Sequence, residues 1–227
     1  MNRALYAAAN GMAQQQRSLE IVAQNLSSAD VAGFKGASAS AFGSRTVFTQ
    51  GKLMRSDGPF DVAIDGAGFF TVIDGTGKRA YTRCGEFSRD TDGYVRNAQG
   101  WRLEGVRIPE SATSVSVERD GTVRAQTPGG KQHCGKIRLA VFASPESLRC
   151  DGGTLFYATH ESGKPHAISA GASGEPAIDF GMLEKSNVTI VEAMMQILAA
   201  QRAYEANAKG VQAADEMMRI ADNLSRA

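Results

Sequence analysis

The residues whose types could do chemistry are few, and their spacing argues against most of it. His133 and Cys134 are adjacent, with Cys150, His160 and His166 further along. Histidine and thiolate are the natural zinc ligands, but this spacing fits no zinc ligand pattern, and neighbouring residues rarely suit a tetrahedral shell. Asp90-Thr91-Asp92-Gly93 begins like a calcium loop, but no glycine stands at the sixth position and no acid at the twelfth, so it reads as a hairpin turn. Gly66-Ala67-Gly68-Phe69-Phe70 has two glycines of a phosphate-cradling loop without the third and without a following helix, which suits a turn into an aromatic strand. Neither G-x-S-x-G nor H-E-x-x-H occurs. The expectation is a protein with no catalytic, cofactor or metal site.

Composition narrows the remaining classes. The chain has 227 residues, enough for one large domain or two small ones. Its 25 Lys+Arg against 24 Asp+Glu leave a net charge of +1, which argues against binding nucleic acid or an anionic membrane through bulk charge. Three cysteines, Cys84, Cys134 and Cys150, exclude a complete disulfide framework and form no C-x-x-C motif. One bridge stays open, but the simplest reading is three packing residues. No apolar run approaches the ~20 residues of a membrane span. Residues 1–26 are interrupted by Gln14-Gln15-Gln16-Arg17 and lack the apolar core of a signal peptide, so the chain is expected to stay in the cytoplasm or to leave by a route without signal cleavage.

The elements that must position any function fall into three zones. Leu5, Ala8, Met12, Gln15, Leu19, Val22 and Leu26 recur every three or four residues and predict an amphipathic helix, closed by Asp30, Gly33 and Gly36. At the other end, Ile190, Met194, Ile197, Gln201, Tyr204, Ala208, Val211, Ala214, Met218, Ala221 and Leu224 continue one stripe for more than thirty residues. Thr189 to Glu192 reads as a capping box at its start. Gln15 and Gln201 interrupt the two seams. Each is either a polar residue fixing register or an amide that helical drift carries to solvent.

Between them the texture is β. Asp-Gly pairs at 57–58, 65–66, 74–75, 92–93, 120–121 and 151–152 are strong hairpin signals. Short alternating runs such as Phe60-Val62-Ile64 and Ile137-Leu139-Val141 lie between them, and predict about ten antiparallel strands. The predicted class is α+β, with an antiparallel all-β domain inserted between two long terminal helices. The predicted divisions are 1–35 for the first helix, 36–56 for an extended connector, 57–181 for the β-domain and 182–227 for the second helix. One partner helix cannot cover both stripes, so self-association is expected.

Ala23-Gln24-Asn25-Leu26-Ser27-Ser28 followed by Gly33-Phe34-Lys35 resembles the N-terminal signature of bacterial flagellar rod and hook proteins. Leu183-Glu184-Lys185-Ser186-Asn187-Val188 and then Gln201-Arg202-Ala203-Tyr204-Glu205-Ala206-Asn207 are similar to the same family's other end. In the middle, Asp61-Val62-Ala63-Ile64, Gly66, Gly68-Phe69-Phe70, Tyr81-Thr82-Arg83, Gly85, Phe87, Asp90 and Gly93 agree as well. The resemblance covers nearly the whole chain and is nearest to the distal-rod branch, with the proximal-rod or a hook-type branch as the alternative. The stretch from Lys35 to Gln50-Gly51 is shorter than either rod branch usually carries.

The resemblance implies a structural subunit whose terminal helices form an inner coiled-coil layer, stacked helically into the drive shaft of the flagellar basal body. It implies export through the flagellar secretion apparatus without signal cleavage. The implied partners are further copies of the chain, other rod proteins, the hook protein and the basal-body rings, with no cofactor and no nucleic acid. The assembly interface would be the stripe residues named above, and the family's motif positions map to Asn25, Gly33, Phe34, Lys35, Asn187, Gln201, Arg202, Tyr204, Glu205 and Asn207. From other classes, a flagellum-associated enzyme acting on peptidoglycan and a plain binding module are the competing expectations.

Overall fold

The computed structural model describes residues 2–40, 43–151, 153–171 and 175–225, and within the helices the side chains from Tyr6 to Ile220. Two compact units result. The first comprises residues up to 29, 37–45 and those from 188 onward; the second comprises 30–36 and 46–187.

The first unit is built on two helices, α1 (Asn2–Ser27) and α2 (Ile190–Ser225), which pack against each other. Helix α1 ends in turns, with the N–H groups of Ser28 and Ala29 donating to the carbonyls of Asn25 and Leu26. Helix α2 starts as the sequence suggests: the Thr189 hydroxyl accepts the Glu192 N–H at 3.4 Å. The reciprocal half of the box differs, because the Glu192 carboxylate accepts from the Thr189 hydroxyl. A short pair of strands, β1 (Ala37–Ser40) and β2 (Gly43–Thr46), occupies part of what reads in the sequence as a plain connector.

The second unit is antiparallel β throughout. Its strands are β3 (Leu53–Arg55), β4 (Val62–Asp65), β5 (Phe69–Ile73), β6 (Arg79–Thr82), β7 (Ser88–Arg89), β8 (Tyr94–Arg96), β9 (Arg102–Arg107) and β10 (Ser114–Val117). They continue as β11 (Thr122–Thr127), β12 (Gly130–Lys136), β13 (Leu139–Val141), β14 (Arg149–Cys150), β15 (Leu155–Tyr157), β16 (His166–Ile168), β17 (Ala177–Phe180) and β18 (Met182–Glu184). The main sheet runs β10-β11-β12-β9-β5-β6-β15-β14, with β13 and β8 also pairing to β5 and β9. Strand β17 pairs with β4, and β18 with β3.

Period-two alternation divides the β5 side chains between two clusters. Phe70 and Val72 join Val62, Ile64, Leu103, Val106, Val123, Ile137, Leu139 and Ile178 in the larger core. Phe69 turns the other way, into an aromatic group with Tyr81, Phe142, Phe156 and Phe48 whose rings meet edge to face. Asp-Gly turns place glycine at positive φ at Gly66, Gly93 and Gly121. In the turn after Asp74 it is Gly77, not Gly75, that takes this role. The cysteines are free, with Cys134 buried and Cys150 exposed.

Candidate functional site

Two arrangements stand out, one in each unit. In the helical unit, α2 has two unlike faces. Toward α1 it shelters Ala193, Ile197, Ala200, Ala203, Asn207, Val211, Ala214 and Met218, with Ala193 and Ala200 only 3% and 5% exposed. Small residues let the helix axes approach: a Cβ added to Gly11 of α1 would meet the Asn207 amide nitrogen at 2.8 Å. On nearly the opposite side, Val191, Met194, Met195 and Leu198 lie open, with Val191 69% and Met195 59% exposed. Met217 and Ile220 are open near the far end. With about 3.6 residues per turn, Met194, Leu198 and Met195 fall on one continuous strip. A strip of large apolar side chains open to water is the mark of a contact surface.

The stripe residues expected to form the seam divide accordingly. On α1, Ala8, Met12, Gln15, Leu19 and Leu26 are half-buried and Val22 is buried. On α2, Ile197, Ala208, Val211 and Met218 are half-buried, whereas Ile190, Met194, Gln201 and Tyr204 are exposed. Ile190, Met194 and Tyr204, expected to pack within or between subunits, are open in the single chain, and the most buried positions of α2 are the alanines at 193 and 200, which admit a closer helix. The Gln201 amide is turned to solvent, and Gln15 is half-buried. The side chains of Leu5 and Leu224 lie outside the described residues.

The second arrangement centres on Glu184, which the sequence reading placed in a motif without giving it a role. Its carboxylate is 1% exposed. Oε1 accepts from Lys35 Nζ at 2.6 Å and from the Gly51 N–H at 2.8 Å; Oε2 accepts from Arg83 Nε at 2.8 Å. Lys35 and Arg83 are buried too. Carbonyls take further donors: Lys35 Nζ donates to Thr49 at 2.7 Å, Arg83 Nη1 to Gly66 and Gly68, each at 2.8 Å, and Arg83 Nη2 to Ile64 at 3.4 Å. Burial is the largest influence on the Lys35 ammonium and lowers its pKa, against the Glu184 carboxylate, which raises it. The two glycines that looked like half a phosphate loop thus offer carbonyls to a guanidinium.

The other motif residues brace this centre or end the helix. Gly33 takes φ +67° because the Arg83 and Cys84 backbone lies where a Cβ would stand. Its N–H donates to the Glu184 carbonyl at 2.7 Å, and Phe34 beside it is buried. Asn187 accepts the Gly36 N–H through Oδ1 and donates through Nδ2 to the Val47 carbonyl at 2.7 Å. Asn25 accepts the Ala37 N–H and donates to the Ala37 carbonyl, closing the end of α1. Gln201, Arg202, Tyr204 and Glu205 are exposed on α2.

Three family matches coincide with these arrangements. Residues 5–35 match the family described as flagella basal body rod protein, residues 63–125 the flagellar hook protein FlgE/F/G D1 domain, and residues 181–224 the flagellar basal body rod FlgEFG protein C-terminal segment. The flagellar basal-body rod protein FlgG of Borreliella burgdorferi is 32% identical over 264 aligned positions that cover the whole of both chains. The chain belongs to the flagellar basal-body rod protein family. FlgG of Caulobacter vibrioides is 31% identical across 98% of this chain and 99% of its own. FlgF of the same organism is 30% identical across 97% of each. In this rod-family chain, Lys35, Arg83 and Glu184 come one from each of the three matched segments. The buried ion centre therefore ties together the parts by which the family is known. No helix among the described residues is long and apolar enough to cross a membrane.

Proposed function

We propose that the chain is a structural subunit of the flagellar basal-body rod, of the distal kind, whose work is assembly and not catalysis. The observation that carries this reading is the pairing of a full-length likeness to FlgG with a terminal helix whose large apolar face is left open. The sheltered alanine face of α2 serves the pairing with α1; the open strip through Met194, Met195 and Leu198 serves contact with neighbouring copies. Burying such residues removes about 25 cal/mol per Å² of apolar surface from water, so a repeated contact along a helical stack is strongly favourable.

In this reading the Glu184 centre braces the β unit from within, joining Lys35, Arg83 and Glu184 from distant parts of the sequence. The partners are further copies of the chain, adjoining rod proteins, the hook protein and the surrounding rings. The chain reaches the basal body through the flagellar export apparatus without signal cleavage. The likeness to FlgF, at 30% identity over 97% of each chain, supports the proximal-rod alternative less strongly than 32% over the whole of both chains for FlgG of Borreliella burgdorferi. The 264 aligned positions exceed the 227 residues of this chain, so the Borreliella relative carries residues that this chain lacks. Electron microscopy of basal bodies from an in-frame deletion strain tests the proposal. Rods that stop short and carry no hook are expected, with the stopping point separating distal from proximal; complete rods bearing hooks would overturn it.

A further inference from the structure

The β unit carries a second surface feature, built from different residues than the open strip of α2. Two open grooves, about 590 and 560 Å³, share a wall at Glu104 and Gly105 of β9. The cations Arg79, Arg102, Arg107, Lys136 and Arg138 line them, against the carboxylates of Asp74 and Glu104. Arg79 pairs with Glu104 at 2.7 Å and Lys136 with Asp120 at 3.0 Å. Among the described residues, Arg102, Arg107 and Arg138 have no carboxylate partner; the first two lie 4.6 and 5.2 Å from the Tyr94 ring centroid. In a chain of net charge +1, this is a local excess of positive charge.

The second observation is independent of charge. Tyr81 is 4% exposed and Thr71 8% exposed, both line the second groove, and neither hydroxyl has a hydrogen-bond partner among the described residues. Neither is sealed from the groove, since no fully buried side-chain oxygen or nitrogen is left unpaired. These hydroxyls, carried on largely buried side chains, open onto the groove, where they can meet a ligand's donor or acceptor.

We propose that these adjoining grooves bind an acidic oligosaccharide, a chain of hydroxyl-rich rings bearing carboxylates. The Tyr81 and Thr71 hydroxyls and the exposed Arg79–Glu104 pair offer donors and acceptors side by side, as ring hydroxyls require. Arg138 and Arg102 face the ligand's carboxylates. Glu104 stands in the shared wall with its charge met by Arg79, and its carboxylate can still accept from a sugar hydroxyl, a donor that an acidic peptide's side chains lack. This inference stands apart from the rod assignment and does not depend on it.

The test is titration of the full-length chain with tetragalacturonate, maltotetraose and tetraglutamate, followed by calorimetry and by amide chemical shifts. Tetragalacturonate binds with Kd below ~1 mM, and maltotetraose and tetraglutamate bind at least about tenfold more weakly. Tyr81→Phe and Arg138→Gln, each with an unchanged melting temperature, weaken binding by about fivefold or more. Absence of tetragalacturonate binding, equal binding of tetraglutamate, or wild-type affinity in both variants would overturn the proposal.

Discussion

Lys35 and Glu184, 149 positions apart in the sequence, form a 2.6 Å ion pair buried in the β unit. Glu184 belongs to β18, which pairs with β3, and Lys35 to the segment that follows α1. One carboxylate therefore fixes residues from near both ends of the chain, with Arg83 from β6 as the third member. The network is fully hydrogen-bonded, the condition under which buried charges are tolerated.

Glu184→Gln leaves two buried cations without a counter-charge. A loss of about 3–5 kcal/mol in unfolding free energy is expected, measured by urea denaturation. Stability within ~0.5 kcal/mol of wild type would mean that the carboxylate is dispensable.

Gly33→Ala tests the close approach beside this centre. The residue is at φ +67°, and the added methyl would enter the backbone of Arg83 and Cys84. Strain and displacement together should lower stability by about 2 kcal/mol or more, read by thermal unfolding. A neutral substitution would show that the segment does not dock as described.

Asp120 gives the fold a dependence on acid. The Thr122 N–H is the largest influence, followed by Lys136 and the Thr122 hydroxyl; together they hold the Asp120 pKa at about 2 against an ordinary 3.8. A depressed carboxylate pKa contributes stability that is present above the unfolded value and is lost as pH falls through the folded value. The side chain is 43% exposed, so solvent screening reduces the contribution to about 0.5–1 kcal/mol. Asp120→Asn should be less stable than wild type by that amount at pH 6, with the gap closing between pH 4 and 2. A gap that persists at pH 2 would place the effect elsewhere.

The two faces of α2 should respond oppositely. Ala200→Leu overfills the seam with α1 and should destabilise the chain by about 1–3 kcal/mol. Leu198→Glu lies on the open strip and should change monomer stability by less than ~0.5 kcal/mol, while suppressing association of the chain. Circular dichroism and sedimentation separate the two effects. Reversal of this pattern would exchange the roles of the faces.

Both helices, the antiparallel β texture and the family motifs were legible because each is local: a 3.6-residue period, Asp-Gly turns and contiguous motif residues carry them. The α2 seam was not, because hydrophobic periodicity gives weight to large residues such as Ile190 and Met194. The distance of closest approach is set by small ones, and Ala193, Ala200, Asn207 and Ala214 recur at intervals of seven as the usable signal. The Glu184 centre was missed for another reason. Each of its three charges stood in a quoted motif, but an ion pair spanning most of the chain leaves no periodic trace. The available signal was the presence of charges inside otherwise apolar segments.

The central claim is that the open strip of α2 joins subunits in the rod. Complementing a deletion strain with either the wild-type chain or Leu198→Glu, then imaging purified basal bodies, tests it most directly. Wild type should restore complete rods with hooks, and Leu198→Glu, produced in equal amount, should leave rods truncated. Complete rods with hooks built from Leu198→Glu would contradict the account.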